Sequence, residues 1–116
     1  MKRFTLSKTV SGRSWREGDQ TELWGALKAG LDGTIGGANE AIAETYAVIR
    51  SEIGAGLTAT DCLLPHHEVS SKGLVTLNKA ALVAASAALA TEDGRGDMTD
   101  EEVAQAREHL LRHYHE

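Results

Sequence analysis

The stretch DCLLPHHEV, residues 61–69, contains the only cysteine and the only proline of the chain beside two adjacent histidines. Pro65 cannot continue a helix, and it biases Leu64 away from helical geometry. Thr58 and Asp61 have the spacing of a capping pair, which predicts about one turn of helix just before the stretch. We therefore interpret residues 61–69 as a joint that leads into the second half of the fold.

Four helices are predicted around this joint. Downstream, Asn78 is placed to cap the run KAALVAASAALA, whose seven alanines let another helix pack at short distance. Thr99 and Glu102 form a capping box before an apolar stripe that reaches Tyr114. Upstream, Asp19 and Glu22 resemble the start of another helix, and apolar residues recur at helical spacing in two segments separated by glycines. The predicted helices cover about residues 20–31, 38–53 and 79–91, and the fourth follows Thr99.

Two short segments have extended character, and we predict that they pair. Residues 3–10 alternate between apolar and polar side chains, and residues 73–78, GLVTLN, are rich in strand-forming types. The composition is 41% apolar but only 4% aromatic, which favours aliphatic and alanine-mediated helix packing. The predicted fold is mainly α: a single-domain bundle of about four helices with a small two-stranded β element. Its predicted core is Leu23, Leu27, Ile42, Tyr46, Ile49, Ile53, Leu82, Leu89, Val103, Leu110 and Tyr114.

Charge is distributed unevenly along the chain. Residues 1–16 carry +5, whereas the remaining hundred carry −10. We therefore divide the chain into a basic N-terminal arm or extended segment, residues 1–18, and a helical domain, residues 19–116. A basic arm is suited to contact with nucleic acid or with an acidic protein surface. The predicted partner-binding residues are Lys2, Arg3, Lys8, Arg13, Trp15 and Arg16.

Histidine spacing indicates a possible zinc site. His109 and His113 lie four residues apart on one helix face, and Cys62 with His66 supplies two further donors of the type that binds Zn²⁺ tetrahedrally. His67 and His115 are alternative ligands. Histidines near a helix C-terminus also interact favourably with the helix dipole, so capping remains an alternative to metal binding for this pair. No other cofactor is predicted.

The sequence gives no positive sign of an enzyme, and we predict none. Nucleophilic catalysis by Cys62 needs a base within hydrogen-bond reach and an oxyanion site, which sequence adjacency does not supply. The phosphate-binding patterns G-x-x-x-x-G-K and G-x-G-x-x-G are absent. A single cysteine excludes an internal disulfide, and the apolar runs are too short to span a membrane or to form a secretion signal.

The second half of the chain resembles a segment of tailed-phage head proteins, found at the end of prohead proteases and in small head-assembly proteins. The resemblance covers roughly residues 58–115, and we mark 58–116 as a phage-head-like segment. It rests on the order of five features along the chain. These are the stretch Asp61 to His67, the hydrophobic-Thr-Leu-Asn stretch Val75 to Asn78, the alanine-rich run from Ala80 to Ala90, the Gly-Arg-Gly of residues 94–96, and the set Ala106, Leu110, His113 and Tyr114.

The resemblance implies a non-enzymatic structural or assembly protein of a phage head, a decoration or cement protein among them. It does not imply proteolysis, because 116 residues leave no room for the separate protease domain. The implied partner is the major capsid protein or another head protein, and the implied location is the virion or the host cytoplasm. Self-association and DNA contact through the basic arm stay open. Two other functions are considered: a zinc-stabilised protein-binding module and a phage-encoded inhibitor of a host nucleic-acid-binding protein.

Overall fold

The computed structural model describes residues 3–33, 35–54, 56–70 and 72–114. About 52% of it is helical and about 23% is strand, which makes the fold mixed α/β. The prediction of a mainly α bundle is therefore wrong. The elements in chain order are β1 (Thr5–Ser11), α1 (Glu17–Asp32), α2 (Ala38–Thr45), β2 (Tyr46–Ile49), a 3-10 turn (Ala59–Asp61), β3 (Cys62–Pro65), β4 (His67–Val69), β5 (Leu74–Asn78), α3 (Lys79–Leu89), α4 (Glu92–Arg95) and α5 (Asp100–Tyr114).

The described strands form two sheets. One has the order β1-β5-β4, in which β1 is parallel to β5 and β4 is antiparallel to it. The other is the antiparallel pair of β2 and β3. The predicted pairing of residues 3–10 with residues 73–78 is confirmed by the register of Thr5 with Leu74 and of Val10 with Leu77. The sheet that contains this pair has β4 as a third strand, which the prediction did not include.

The helix predicted over residues 38–53 ends at Thr45, and this is the main reason why the predicted fold class failed. Residues 46–49, YAVI, instead pair with β3, in the register of Tyr46 with Pro65 and of Ile49 with Cys62. Aromatic and β-branched side chains favour a strand here. Tyr46, Ala47 and Val48 are all buried, so β2 shows no alternation of apolar and polar residues by which it could have been recognised.

The joint predicted at residues 61–69 is likewise mostly strand. It contributes β3 and β4, which meet at His66. The turn before it is present, because the backbone N–H of Thr58 donates to the Asp61 carboxylate at 3.1 Å. The stretch is therefore a junction between two sheets and not the end of a helix.

Three helix starts were predicted from capping residues, and the structure confirms two of them. The Asn78 side chain accepts a hydrogen bond from the Ala81 N–H, as predicted for α3. The Thr99 and Glu102 box is also confirmed, since each side chain accepts from the other residue's backbone N–H. The first helix begins earlier than predicted, at Glu17, because Asp19 accepts from the Arg16 N–H instead of capping the helix itself.

Two groups of buried apolar side chains form the core. The first lies around α1, α2 and β2, and the second around α3 and α5. Among the predicted core residues, Ile49 and Ile53 are only half-buried, and the prediction for Tyr114 is wrong because 52% of it is exposed. The other eight are buried: Leu23, Leu27, Ile42, Tyr46, Leu82, Leu89, Val103 and Leu110. None of the helices in the described ranges is both long enough and apolar enough to cross a membrane.

Adjacent leucines on α5 provide a matched test of this core. Leu110 is 2% exposed, whereas its neighbour Leu111 is 54% exposed. We expect Leu110→Ala to lower the free energy of unfolding by about 2–5 kcal/mol, through lost burial and the cavity left behind. Leu111→Ala should change it by no more than about 0.5 kcal/mol. Urea unfolding of both variants measures the difference, and equal losses would contradict the placement of α5.

Candidate metal centre

Four of the five histidines gather in one place. His66 lies between β3 and β4, His67 is the first residue of β4, and His109 and His113 lie one turn apart on α5. The His66 ring centroid is 4.7 Å from that of His67, 4.9 Å from that of His109 and 4.8 Å from that of His113. His66, His67 and His113 are buried, and His109 is half-buried. The cluster joins the C-terminal helix to the point where the two sheets meet.

The backbone around His66 fixes its position. Its N–H donates to the Thr45 carbonyl at 3.0 Å, just before β2, and its carbonyl accepts from the Asn78 N–H at 2.9 Å, at the end of β5. Leu64 has a φ of 58°, a left-handed conformation that costs a residue with a Cβ about 1–2 kcal/mol. The Leu64 carbonyl lies 3.0 Å from His66 Nδ1. This strained residue thus supplies the acceptor that orients the His66 ring.

A chain of hydrogen bonds assigns the tautomers of two rings. Because Nδ1 of His66 donates to a carbonyl, its Nε2 carries the lone pair. His109 Nε2 lies 3.1 Å from that atom and 3.1 Å from the Glu44 carbonyl, so it is the donor. The Arg112 guanidinium donates to His109 Nδ1 at 3.3 Å. His66 and His109 therefore satisfy each other as neutral imidazoles.

A second set of atoms able to bind a metal ion lies beside His66 and His109. The Glu44 carboxylate, at the end of α2, has its Oε1 3.4 Å from Nε2 of His113. Nδ1 of His67 is buried and has no hydrogen-bond partner in the described part of the chain. Each of two groups has ligand atoms within 4.8 Å of one another: His66 with His109 and His113, and Glu44 with His67 and His113. The arrangement offers nitrogen and oxygen donors from three separate elements.

Burial keeps the imidazoles of His66, His67 and His109 neutral. Together with the neighbouring histidines, it lowers the pKa of His66 to about 2 and that of His67 to about 3. Burial also lowers the pKa of His109, although its bond to Glu44 acts in the opposite direction. A neutral imidazole is the form that binds a metal ion, so the electrostatics of the cluster suit metal binding at neutral pH.

The predicted zinc ligands are only partly brought together. His66, His109 and His113 meet, but Cys62 belongs to neither donor group among the described residues. Its thiol packs in the first core group and donates to the Thr58 carbonyl at 3.7 Å, and burial raises its pKa to about 11. The structure therefore packs Cys62 as a small apolar core side chain outside both groups, and its role as a metal ligand stays a prediction.

Of the two histidines predicted as alternative zinc ligands, the structure places one in the cluster. His67 joins the cluster, whereas His115 lies outside the described residues. Glu44 was not predicted from the sequence, because a carboxylate at the end of a helix is usually solvated and no spacing relates it to the histidines. Only the packing of α2 against the junction places it there.

The predicted N-terminal arm is an integral part of the sheet where the structure describes it. Residues 5–11 form β1, and Arg3 bridges to Gly36. Lys8 is exposed on β1, and Lys2 lies outside the described residues. Lys8 is therefore displayed on a fixed strand instead of a free tail.

The rest of the predicted arm residues make contacts within the fold. Arg13 pairs with Glu68 at 3.3 Å while remaining mostly exposed. Trp15 is half-buried against the first core group. Arg16 begins α1 through the bond of its N–H to Asp19. Only exposed side chains such as that of Arg13 stay available to a partner.

No known protein family, curated protein or solved structure matches the chain.

Buried neutral histidines predict acid sensitivity of the metal-free protein. Unfolded imidazoles titrate near pH 6.5 and take up protons that the folded His66 and His67 do not. Because the unfolded state then binds more protons, the free energy of unfolding should fall as pH is lowered, by roughly 2 kcal/mol per imidazole between pH 7 and pH 5. Among the described residues, the Glu44 carboxylate contacts His113 and the Arg112 guanidinium contacts His109.

Urea unfolding at pH 7 and pH 5 in the presence of a chelator measures this loss. Asp61, Asp97 and Glu102 have lowered pKa values and weaken the fold only at more acidic pH, because hydrogen bonds stabilise their charged forms. The variant His67→Gln should show a smaller difference between the two pH values. An unfolding free energy that is the same at pH 7 and pH 5 would contradict the burial of neutral imidazoles.

Proposed function

We propose that this chain is a metal-stabilised binding module whose histidine cluster, with Glu44, holds one transition-metal ion, and that zinc is the preferred ion. The observation that carries the proposal is the meeting of four imidazoles and one carboxylate at a buried junction. Nitrogen donors with one carboxylate favour zinc and its neighbours over magnesium or calcium, which prefer oxygen alone.

The distance between two donors supports a tetrahedral ion. Ligands about 2.0–2.1 Å from a zinc ion at tetrahedral angles lie about 3.3–3.4 Å from each other. The Glu44 Oε1 to His113 Nε2 distance of 3.4 Å falls at this value. These two atoms therefore have the separation that a shared tetrahedral ion requires.

A bound ion would have a structural effect. It would connect α5 to the end of α2 and to the sheet junction, three elements far apart in the chain. In sites of this kind the free energy of metal binding is also folding free energy. The proposed ion therefore acts as a fastener that holds the C-terminal helix on the sheets.

The competing explanation is a hydrogen-bonded core without a metal. Its support is the chain from Arg112 through His109 and His66 to the Leu64 carbonyl, which satisfies both rings. That chain leaves His67 Nδ1 buried and without a described partner, which costs about 1–3 kcal/mol. A metal ion bound through Nδ1 would satisfy this atom, whereas the hydrogen-bonded core leaves it unpaired among the described residues.

A role in a tailed-phage head is the second proposal, and it is compatible with the first. The segment that carries the resemblance, residues 58–115, includes all four clustered histidines. We propose that the metal-stabilised module binds a capsid or other head protein. Absence of the protein from both purified particles and assembling proheads would contradict this role.

Zinc should bind with one-to-one stoichiometry and raise the melting temperature. At a free concentration 100 times its dissociation constant, a ligand of the folded state adds about 2.7 kcal/mol of stability, or about 10 °C for a domain of this size. Elemental analysis and thermal unfolding of untagged protein, with zinc or with a chelator, measure both quantities. Less than stoichiometric zinc and an unchanged melting temperature would favour the hydrogen-bonded core.

Two variants localise the site. His113→Gln removes a residue common to both donor groups and should weaken zinc binding by at least about 100-fold, since even changes in residues that support a ligand cost 10–100-fold. Cys62→Ala removes the one thiol and should leave zinc affinity unchanged. A large effect of Cys62→Ala would restore the cysteine to the ligand set.

A further inference from the structure

A cavity of about 520 Å³ opens beside the cluster. Glu44 and His67 form part of its wall, so two of the proposed metal ligands face it. Residues of β1, the edge strand of the three-stranded sheet, also line it and include Lys8. Its apolar lining residues are Leu6, Val10, Val75 and Leu77. A volume of this size suits a small organic molecule.

We propose that the metal is held by Glu44, His67 and His113 and keeps its fourth position open to this cavity, where an aliphatic carboxylate binds. This inference rests on the proposed function, since it requires a metal at the cluster. A zinc ion with three protein ligands generally carries water or another exchangeable ligand in the fourth position. The carboxylate would displace that water, with no redox change and no bond made within the protein.

The choice of these three ligands follows from the hydrogen bonds. His66 uses Nδ1 toward Leu64 and Nε2 toward His109, and His109 is held by Arg112 and by the Glu44 carbonyl. For His109 to bind an ion through Nε2, its proton would have to move to Nδ1, where the Arg112 guanidinium already donates. A metal bound through Nδ1 of His67 would displace no hydrogen bond, because that atom is buried without a described partner.

The chemistry of the cavity specifies the class of ligand. The metal ion and Lys8 both attract an anion, and a carboxylate oxygen is a ligand that zinc accepts. Lys8 is the only lysine or arginine among the described residues that line the cavity. Leucine and valine side chains favour an aliphatic tail through removal of apolar surface from water. An aliphatic carboxylate matches both the cationic and the apolar groups that line the cavity.

Cobalt substitution tests the proposal, because visible absorption of Co²⁺ reports on its ligands. The protein is loaded with Co²⁺ and titrated with hexanoate, acetate and hexan-1-ol. Hexanoate should shift the cobalt bands and bind at least about tenfold more tightly than acetate, since each added methylene that leaves water strengthens binding by up to about fourfold. Hexan-1-ol, which lacks the anion, should leave the bands unchanged.

Two exposed leucines of the same sheet give a matched pair of variants. Leu6 is 48% exposed and lines the cavity, whereas Leu74 is 41% exposed and does not. Leu6→Asp should abolish the preference for hexanoate over acetate while cobalt binding persists. Leu74→Asp should retain the preference. Circular dichroism of both variants confirms that the fold is intact.

The outcomes separate the two proposals. If no cobalt binds, the metal proposal itself fails. If cobalt binds but neither carboxylate changes its spectrum, the fourth position is closed and only this inference is overturned. If His66→Gln abolishes cobalt binding while Glu44→Gln does not, the ion belongs to the His66, His109 and His113 group and the ligand assignment is wrong.

Discussion

The position of His66 is the constraint on which the arrangement depends. Its backbone bonds to Thr45 and to Asn78 hold the two sheets together, and its ring lies in contact with the other three clustered histidines. One residue therefore links the sheet junction to α5. Any shift of β3 against β4 would move the imidazole as well, so the site and the fold cannot change independently.

This arrangement has an energetic cost that a ligand would offset. Leu64 holds a left-handed conformation, and several imidazoles are buried where their charged forms are disfavoured. Strained residues and groups with shifted pKa values concentrate at functional sites, although structural networks also shift pKa values. The proposed metal ion would account for both features, because it would use neutral imidazoles and the precise placement of their rings.

Sequence reasoning succeeded where the signal was local. Asn78 as the cap of α3 follows from short-range chemistry, and His109 with His113 could be paired by helical spacing alone. It failed where tertiary contacts decided the outcome. Tyr46 and Ile49 fit a helical stripe as well as a strand, and only pairing with β3 distinguishes the two. Cys62 has the right donor atom, but its placement in the first core group removes it from the cluster.

The most direct test of the central claim is X-ray absorption at the zinc edge of the zinc-loaded protein. A zinc ion held by the histidine cluster should show a first shell of nitrogen and oxygen alone at about 2.0–2.2 Å, with the outer-shell scattering of at least two imidazoles. A sulfur scatterer at about 2.3 Å would show that Cys62 is a ligand after all. A spectrum without imidazole scattering would show that the histidine cluster does not bind the ion.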